Sequence, residues 1–133
     1  MRALLIICSL VIGCIGRSQS LTDTNSPASD VAIRQKMTGT WFRDNFHVWQ
    51  STLTISSNGD YVAILTSKTR TNRLEGTFVI KDGMMFDTLK KSSIASEPTP
   101  LVFTNVVIRV TDRELVYRAE DRSQKIIFQK VER

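Results

Sequence analysis

Residue types that could support catalysis are few in this 133-residue chain. His47 is its only histidine, and Asp44 precedes that histidine by three residues. A serine hydrolase needs a histidine between a serine and an acid, but no Gly-x-Ser-x-Gly segment presents such a serine. One histidine beside one aspartate is also a thin ligand set for a metal ion. We therefore interpret His47 as a surface or rim residue, and we expect neither a catalytic site nor a metal site.

The acidic residues suit turns better than a catalytic pair. Glycoside hydrolysis needs two carboxylates that face one cleft. Turn positions favour aspartate because its side chain hydrogen-bonds to the local backbone, and four aspartates lie at predicted turns: Asp60, Asp82, Asp112 and Asp121. The chain has no glycine-rich phosphate loop and no dinucleotide-binding fingerprint. An enzyme would need a cluster of acidic or basic side chains, and the spacing along the chain reveals none. We therefore expect no cofactor and no enzyme activity.

Residues 1–20 have the order of a secretory signal peptide. Arg2 gives a positive start, residues 3–12 form an apolar run, and residues 13–20 are small and polar. The run is shorter than the roughly 20 residues that a permanent membrane span requires. We therefore expect an exported protein that is periplasmic, extracellular or anchored to a membrane as a lipoprotein.

Two processing points remain open. Ser18 and Ser20 are small residues at alternate positions, which is typical of a simple cut before Leu21. Residues 11–14, Val-Ile-Gly-Cys, instead resemble a bacterial lipobox, in which Cys14 is acylated and becomes the new N-terminus. The second route would tether the domain to a membrane through acyl chains.

The exported portion has no cysteine, because Cys8 and Cys14 both lie in the leader. Disulfides, cysteine-ligated zinc and a cysteine nucleophile are therefore excluded from Leu21 onward. The net charge of +5 falls to +3 when Arg2 and Arg17 leave with the leader. We expect no nucleic-acid partner. Two basic groups suit solvated strand ends, with attraction to anionic lipid or envelope polymer as the alternative: Lys68, Arg70 and Arg73, and Lys90 with Lys91.

The remaining pattern predicts a linker over residues 21–29 and one domain over residues 30–133. Ser29 or Asp30 caps a short predicted helix that ends at Met37, with Ile33 and Met37 on one face. From Thr40 onward, period-2 alternation takes over. It predicts eight strands, over residues 41–43, 49–57, 61–68, 73–81, 84–89, 102–110, 115–119 and 125–132.

Short connections between these strands predict an antiparallel meander. Asn58-Gly59 and Asp82-Gly83 are strong hairpin signals, since both residue types tolerate a positive φ. An open meander of eight strands would leave two unpaired edges, and closure removes them. We therefore predict an all-β, antiparallel up-and-down barrel after one short helix. The alternative is a two-sheet sandwich, which usually needs longer crossing connections than the single long loop at 92–100.

A short helix leading into Gly39-Thr40-Trp41 resembles the start of the lipocalin-like (calycin) group. Within residues 30–90, the segments MTGTW, TLTISSNGDY and LEGTFVIKDG are similar to small bacterial lipocalin-like secreted proteins. From residue 101 the resemblance rests on strand count. It implies that Trp41 closes one barrel end beside Gly39, with a late arginine packed across it. Arg118 and Arg133 both suit that role by position.

An eight-stranded barrel is wide enough either to be filled by its own side chains or to hold one small ligand. Alternation along the strands predicts one set of cavity-lining side chains, with Thr88 and Thr104 as polar anchors: Leu53, Ile55, Phe78, Ile80, Phe86, Thr88, Thr104, Val106 and Ile108. We expect a monomeric binding module for a small apolar or amphipathic ligand. The alternative is a structural or protein-interaction module of the cell envelope with a filled core.

Overall fold

The computed structural model describes residues 27–132. The predicted leader with Cys14, most of the predicted linker, and Arg133 lie outside the described residues. The helix begins within the end of the predicted linker, and the elements are α1 (Pro27–Met37), β1 (Gly39–Asn45), β2 (Trp49–Ile55), β3 (Asp60–Thr66), β4 (Thr71–Lys81), β5 (Met84–Ser92), β6 (Leu101–Val110), β7 (Glu114–Ala119) and β8 (Lys125–Lys130). Within residues 27–132, no helix combines the length and hydropathy that a membrane crossing requires.

The eight strands form a closed barrel in chain order, and each strand is antiparallel to its neighbours. The closing pair is β1 with β8, in which Trp41 lies opposite Lys130 and Phe42 lies opposite Gln129. The Val131 amide adds a hydrogen bond of 2.9 Å to the Thr40 carbonyl. The predicted up-and-down barrel is therefore confirmed, and the sandwich alternative is wrong.

Tight turns connect the strands where the sequence predicts them. In the β4–β5 turn, Asp82 and Gly83 have φ values of 54° and 73°, the left-handed pair that a two-residue hairpin requires. The β1–β2 turn uses the same region at Phe46 and His47, with φ values of 54° and 60°. These two residue types gave no sequence signal for such a turn.

Helix α1 covers one end of the barrel, which we call the base. Ile33 and Met37 are only 2% and 1% exposed, so the predicted apolar face of the helix is confirmed. The Asp30 carboxylate accepts hydrogen bonds from the backbone amides of Asp82 and Gly83, at 3.0 and 3.2 Å. The helix begins at Pro27, so the prediction that Ser29 or Asp30 caps it is wrong. Asp30 instead lies in the first turn of the helix and joins that turn to the β4–β5 hairpin.

Trp41 closes the base from inside the barrel. Its side chain is fully buried, and the indole nitrogen donates a 2.7 Å hydrogen bond to the carbonyl of Met37, the last residue of α1. Trp41 therefore closes one barrel end, as the resemblance implied, and it also joins β1 to the last residue of α1.

Within residues 27–132 the cation packed on Trp41 is Lys130 and not Arg118, and the other predicted candidate, Arg133, lies outside the described residues. Lys130 Nζ lies 4.3 Å from the centroid of the Trp41 ring and donates a 2.6 Å hydrogen bond to the Thr38 carbonyl. Arg118 is at the opposite end of the barrel, where it donates to the carbonyls of the β7–β8 turn. The residue that reaches the Trp41 ring is determined by the pairing of β1 with β8, which cannot be read from position along the sequence.

Candidate functional site

A cavity of about 240 Å³ lies inside the barrel. Its deepest side chains belong to the buried core above the helix, whereas those at the far end are partly exposed. The cavity therefore opens at the end opposite the base, which we call the mouth. Its deep lining includes Met37, Ile55, Phe78, Leu115 and Phe128, and its lining toward the mouth includes Arg43, Leu65, Glu97 and Phe103.

Three residues predicted as cavity lining do line it. Leu53 and Ile55 reach the cavity from β2, and Phe78 reaches it from β4. Ile80 follows on the same face of β4 and is 8% exposed, but it belongs to the packed core at the base rather than to the cavity wall. The alternation predicted for β2 and β4 is therefore confirmed.

The predicted lining on β5 and β6 is wrong, because both strands present their other face to the interior. On β5 the cavity is lined by Met85, Asp87 and Leu89, and on β6 by Phe103. Successive side chains of a strand point to opposite faces. The outward set contains four of the residues predicted as lining: Phe86, Thr88, Thr104 and Val106. Ile108, also predicted as lining, is not part of the cavity wall and lies at an irregularity in the strand pairing.

A β-bulge explains part of the error on β6. The register with β7 shifts between Val107 and Arg109. As a result Val107 and Val110 are both buried, at 1% and 2% exposure, although they are three positions apart. A strict period of two cannot place both residues inside.

A polar cluster that sequence reasoning missed lies on the cavity wall. Asp87 on β5, Tyr61 on β3 and Tyr117 on β7 all line the cavity. The Tyr61 hydroxyl lies close enough to the Asp87 carboxyl to affect its pKa as a hydrogen-bond donor. Asp87 Oδ1 is buried and has no hydrogen-bond partner within the described part of the chain. The available signal was an acidic residue in the middle of an apolar strand, where a solvated position is the ordinary expectation.

Gly76 gives Tyr61 its position. The two residues are paired across β3 and β4, next to a register shift between Glu75 and Gly76. A Cβ atom on Gly76 would lie 2.5 Å from the Tyr61 hydroxyl and 2.4 Å from the Thr88 carbonyl oxygen. The absence of a side chain at Gly76 therefore leaves the space in which the tyrosine ring and its hydroxyl lie.

Burial dominates the electrostatics of this cluster. It raises the pKa of Asp87 from 3.8 to about 6, although the Tyr61 hydrogen bond lowers it. Burial also raises the pKa of Tyr61 well above its ordinary value, with the Asp87 charge adding to the effect. The pKa of Tyr117 rises to about 12 through burial and Asp87, while Arg43 opposes the rise. Both hydroxyls are therefore neutral near neutral pH, and the Asp87 charge is costly.

Charged side chains stand at the mouth. Glu97, in the loop between β5 and β6, accepts a 2.8 Å hydrogen bond from the Ser92 hydroxyl and lines the cavity. Arg43 lines it from β1. His47 lies outside the cavity lining, with 89% of its side chain exposed and Nδ1 3.0 Å from the Asp44 carboxylate. The interpretation of His47 as a surface residue is confirmed.

Across residues 27–132, no three histidine, cysteine or acidic side chains are close enough together to hold a metal ion. No protein-family model matches the chain, and neither the curated proteins nor the solved structures contain a match. The closed eight-stranded meander after a short helix is consistent with the lipocalin-like architecture that the sequence resemblance implied.

Proposed function

We propose that this chain is a binding module, rather than an enzyme, that holds one small apolar or amphipathic ligand inside the barrel. The observation that carries the proposal is the cavity of about 240 Å³, closed at the base by Met37 and open at the mouth. A barrel of eight strands can be filled completely by its own side chains. This one retains internal space, lined mainly by apolar groups such as Leu53, Leu74 and Leu89.

The cavity size supports a small ligand. An engineered apolar cavity of about 150 Å³ takes up benzene, so a space of 240 Å³ suits a molecule of about ten non-hydrogen atoms by proportion. Drug-sized ligands usually occupy about 300–1,000 Å³. The alternative, an envelope interaction module with a filled core, is disfavoured by the same space.

A pair of substitutions on one strand tests the proposal. Ala63 lines the cavity, whereas the neighbouring Val62 alternates with it on β3. Ala63→Phe fills the interior, so we expect it to abolish uptake of ethylbenzene measured by NMR titration. Val62→Phe adds the same aromatic ring on the other face and leaves uptake unchanged. Equal uptake by both variants, each with a native circular dichroism spectrum, would contradict binding in the cavity.

Export is the second part of the proposal and rests on the signal-like residues 1–20. The full-length chain, expressed in a bacterium with its leader, is isolated from the envelope and its intact mass is measured. An unmodified start at Leu21 supports simple secretion, and an acylated start at Cys14 supports a lipoprotein. Retention of the uncut leader contradicts both. Native mass spectrometry of the same sample tests the expected monomer, and a ligand recovered chemically unchanged supports binding over catalysis.

A further inference from the structure

The Asp87 carboxyl is an incomplete hydrogen-bonding group on an otherwise mainly apolar wall. Tyr61 donates to it, but its buried Oδ1 has no partner within residues 27–132. An ionised carboxylate can accept about four hydrogen bonds. Buried polar groups in folded proteins are nearly always paired, so an unpaired one calls for a reason. A ligand group that donates hydrogen bonds inside the cavity would complete this carboxyl.

The charges around the cavity favour a cation as that donor. Two carboxyl groups line the cavity, Asp87 within it and Glu97 toward the mouth, against the single guanidinium of Arg43. Arg43 acts on Tyr117, on the β7 side of the cluster. Burial of Asp87 makes its negative charge unfavourable, and a positive charge placed beside it would relieve that cost.

The neighbouring tyrosine hydroxyls can accept the remaining hydrogen bonds of an ammonium group. An ammonium carries three donors and no acceptor. The Tyr61 hydroxyl keeps its proton and directs it toward Asp87 as a hydrogen-bond donor, so its oxygen lone pairs are acceptors on the same wall. The Tyr117 oxygen is a further acceptor, and it lies close enough to Asp87 for the carboxylate charge to raise the pKa of Tyr117.

We propose that the cavity selects a small primary amine of about ten non-hydrogen atoms, whose ammonium group donates to Asp87 and whose apolar body lies against Leu53, Phe78 and Leu89. This inference rests on the proposed function and assigns the chemical class of its ligand. An aromatic or branched aliphatic body suits the space, because the deep wall is built from aromatic and aliphatic side chains.

Four probes of similar shape test the assignment near neutral pH: 2-phenylethylamine, 2-phenylethanol, ethylbenzene and phenylacetate. Isothermal titration calorimetry measures the affinity of the full chain for each. We expect the amine to bind roughly tenfold or more tightly than ethylbenzene, and phenylacetate to bind most weakly. Asp87→Asn, which keeps the size of the side chain, removes the amine preference and retains ethylbenzene binding. Asp112→Asn, at an exposed turn position, retains the preference.

The outcomes separate this inference from the function on which it rests. Binding of ethylbenzene with no preference for the amine overturns the ligand class but leaves the binding module standing. Failure of all four probes to bind overturns both. An amine preference that survives Asp87→Asn overturns the role of Asp87 and moves the selection to Glu97. Tyr61→Phe is a second variant that keeps the ring, and we expect it to weaken amine binding more than ethylbenzene binding.

Discussion

Lys130 lies across the face of the Trp41 indole, with Nζ 4.3 Å from the ring centroid. The two residues are also direct partners in the β1–β8 pairing that closes the barrel. The same ammonium donates to the Thr38 carbonyl, between helix α1 and β1. One lysine therefore joins the last strand, the first strand and the end of the helix. The closure of the barrel and the closure of its base depend on the same small group of contacts.

Trp41→Ala should destabilise the domain by about 3–5 kcal/mol, the usual range for removing a buried tryptophan. The variant loses the packing of a fully buried ring and leaves the Met37 carbonyl without its donor. Urea unfolding followed by circular dichroism measures the change. Trp49→Ala, at a partly exposed position on β2, is the control and should cost less than half as much. Equal losses for both variants would contradict the closing role of Trp41.

Lys130→Ala should cost about 1–3 kcal/mol, because it removes a cation–π contact and a hydrogen bond to a carbonyl. Lys130→Arg keeps a cation over the ring and should recover at least half of that loss. Lys125→Ala, at an exposed position on the same strand, should change the unfolding free energy by no more than about 0.5 kcal/mol. If Lys130→Arg loses as much unfolding free energy as Lys130→Ala, the contribution of Lys130 comes from the shape of its side chain rather than from its positive charge.

Asp30→Ala should loosen helix α1 from the base while the strands stay paired. The variant loses two hydrogen bonds from backbone amides to a carboxylate, worth about 1–3 kcal/mol together at this partly exposed position. Hydrogen exchange should speed up at the amides of Asp82 and Gly83 and along the helix. The β2–β3 amides serve as the internal reference, and uniform acceleration across the barrel would show global destabilisation instead.

Strand number and most turn positions could be predicted from the sequence because each depends on local chemistry, whereas the closing role of Trp41 was implied by the resemblance. Asn58-Gly59 and Asp82-Gly83 mark their hairpins directly, and Ile33 and Met37 define the apolar face of α1. The alternation along β4 is unambiguous, since its outward positions are mostly polar or charged. These features need no knowledge of what lies across the barrel.

The inward faces of β5 and β6 could not be predicted, because apolar residues occur on both sides of each strand. Hydrophobicity favours Phe86 over Asp87 for the interior, yet the structure places the carboxyl inside with Tyr61 beside it. On β6 the bulge near Val107 changes the face midway. The polar cluster depends on residues from three strands, so register and bulges had to be known before it could be recognised.

The unfolding free energy should depend on pH through Asp87. Its pKa is 3.8 in an ordinary setting and about 6 in the folded protein, so the folded state binds more protons between these values. Stability from this group is therefore fully present below pH 3.8 and is lost as the pH rises through about 6. The loss amounts to about 2–3 kcal/mol by pH 7. Tyr61 and Tyr117 stay neutral over this range because burial raises the pKa of both hydroxyls.

Asp87→Asn should remove this dependence. Urea unfolding at several pH values between about 4 and 7 should show the variant gaining on the unsubstituted protein by about 2–3 kcal/mol across the range. Asp112→Asn controls for the loss of one exposed negative charge. A stability difference that stays constant with pH for Asp87→Asn would mean that its carboxyl is not held in an unfavourable ionised state.

Gly76→Ala should cost more than Gly83→Ala, although only Gly83 has a positive φ, of 73°. A Cβ at Gly83 meets no atom within 4 Å, so alanine there causes no collision. Its only cost is the backbone strain of the positive φ, about 1 kcal/mol. A Cβ at Gly76 collides with the Thr88 carbonyl and the Tyr61 hydroxyl, and overpacking of this kind costs about 1–3 kcal/mol. A double-mutant cycle with Tyr61→Leu isolates the tyrosine contribution, and we expect a coupling of at least about 0.5 kcal/mol. Additive costs would place the whole collision at the Thr88 carbonyl and would remove Gly76 as the residue that positions Tyr61 beside Asp87.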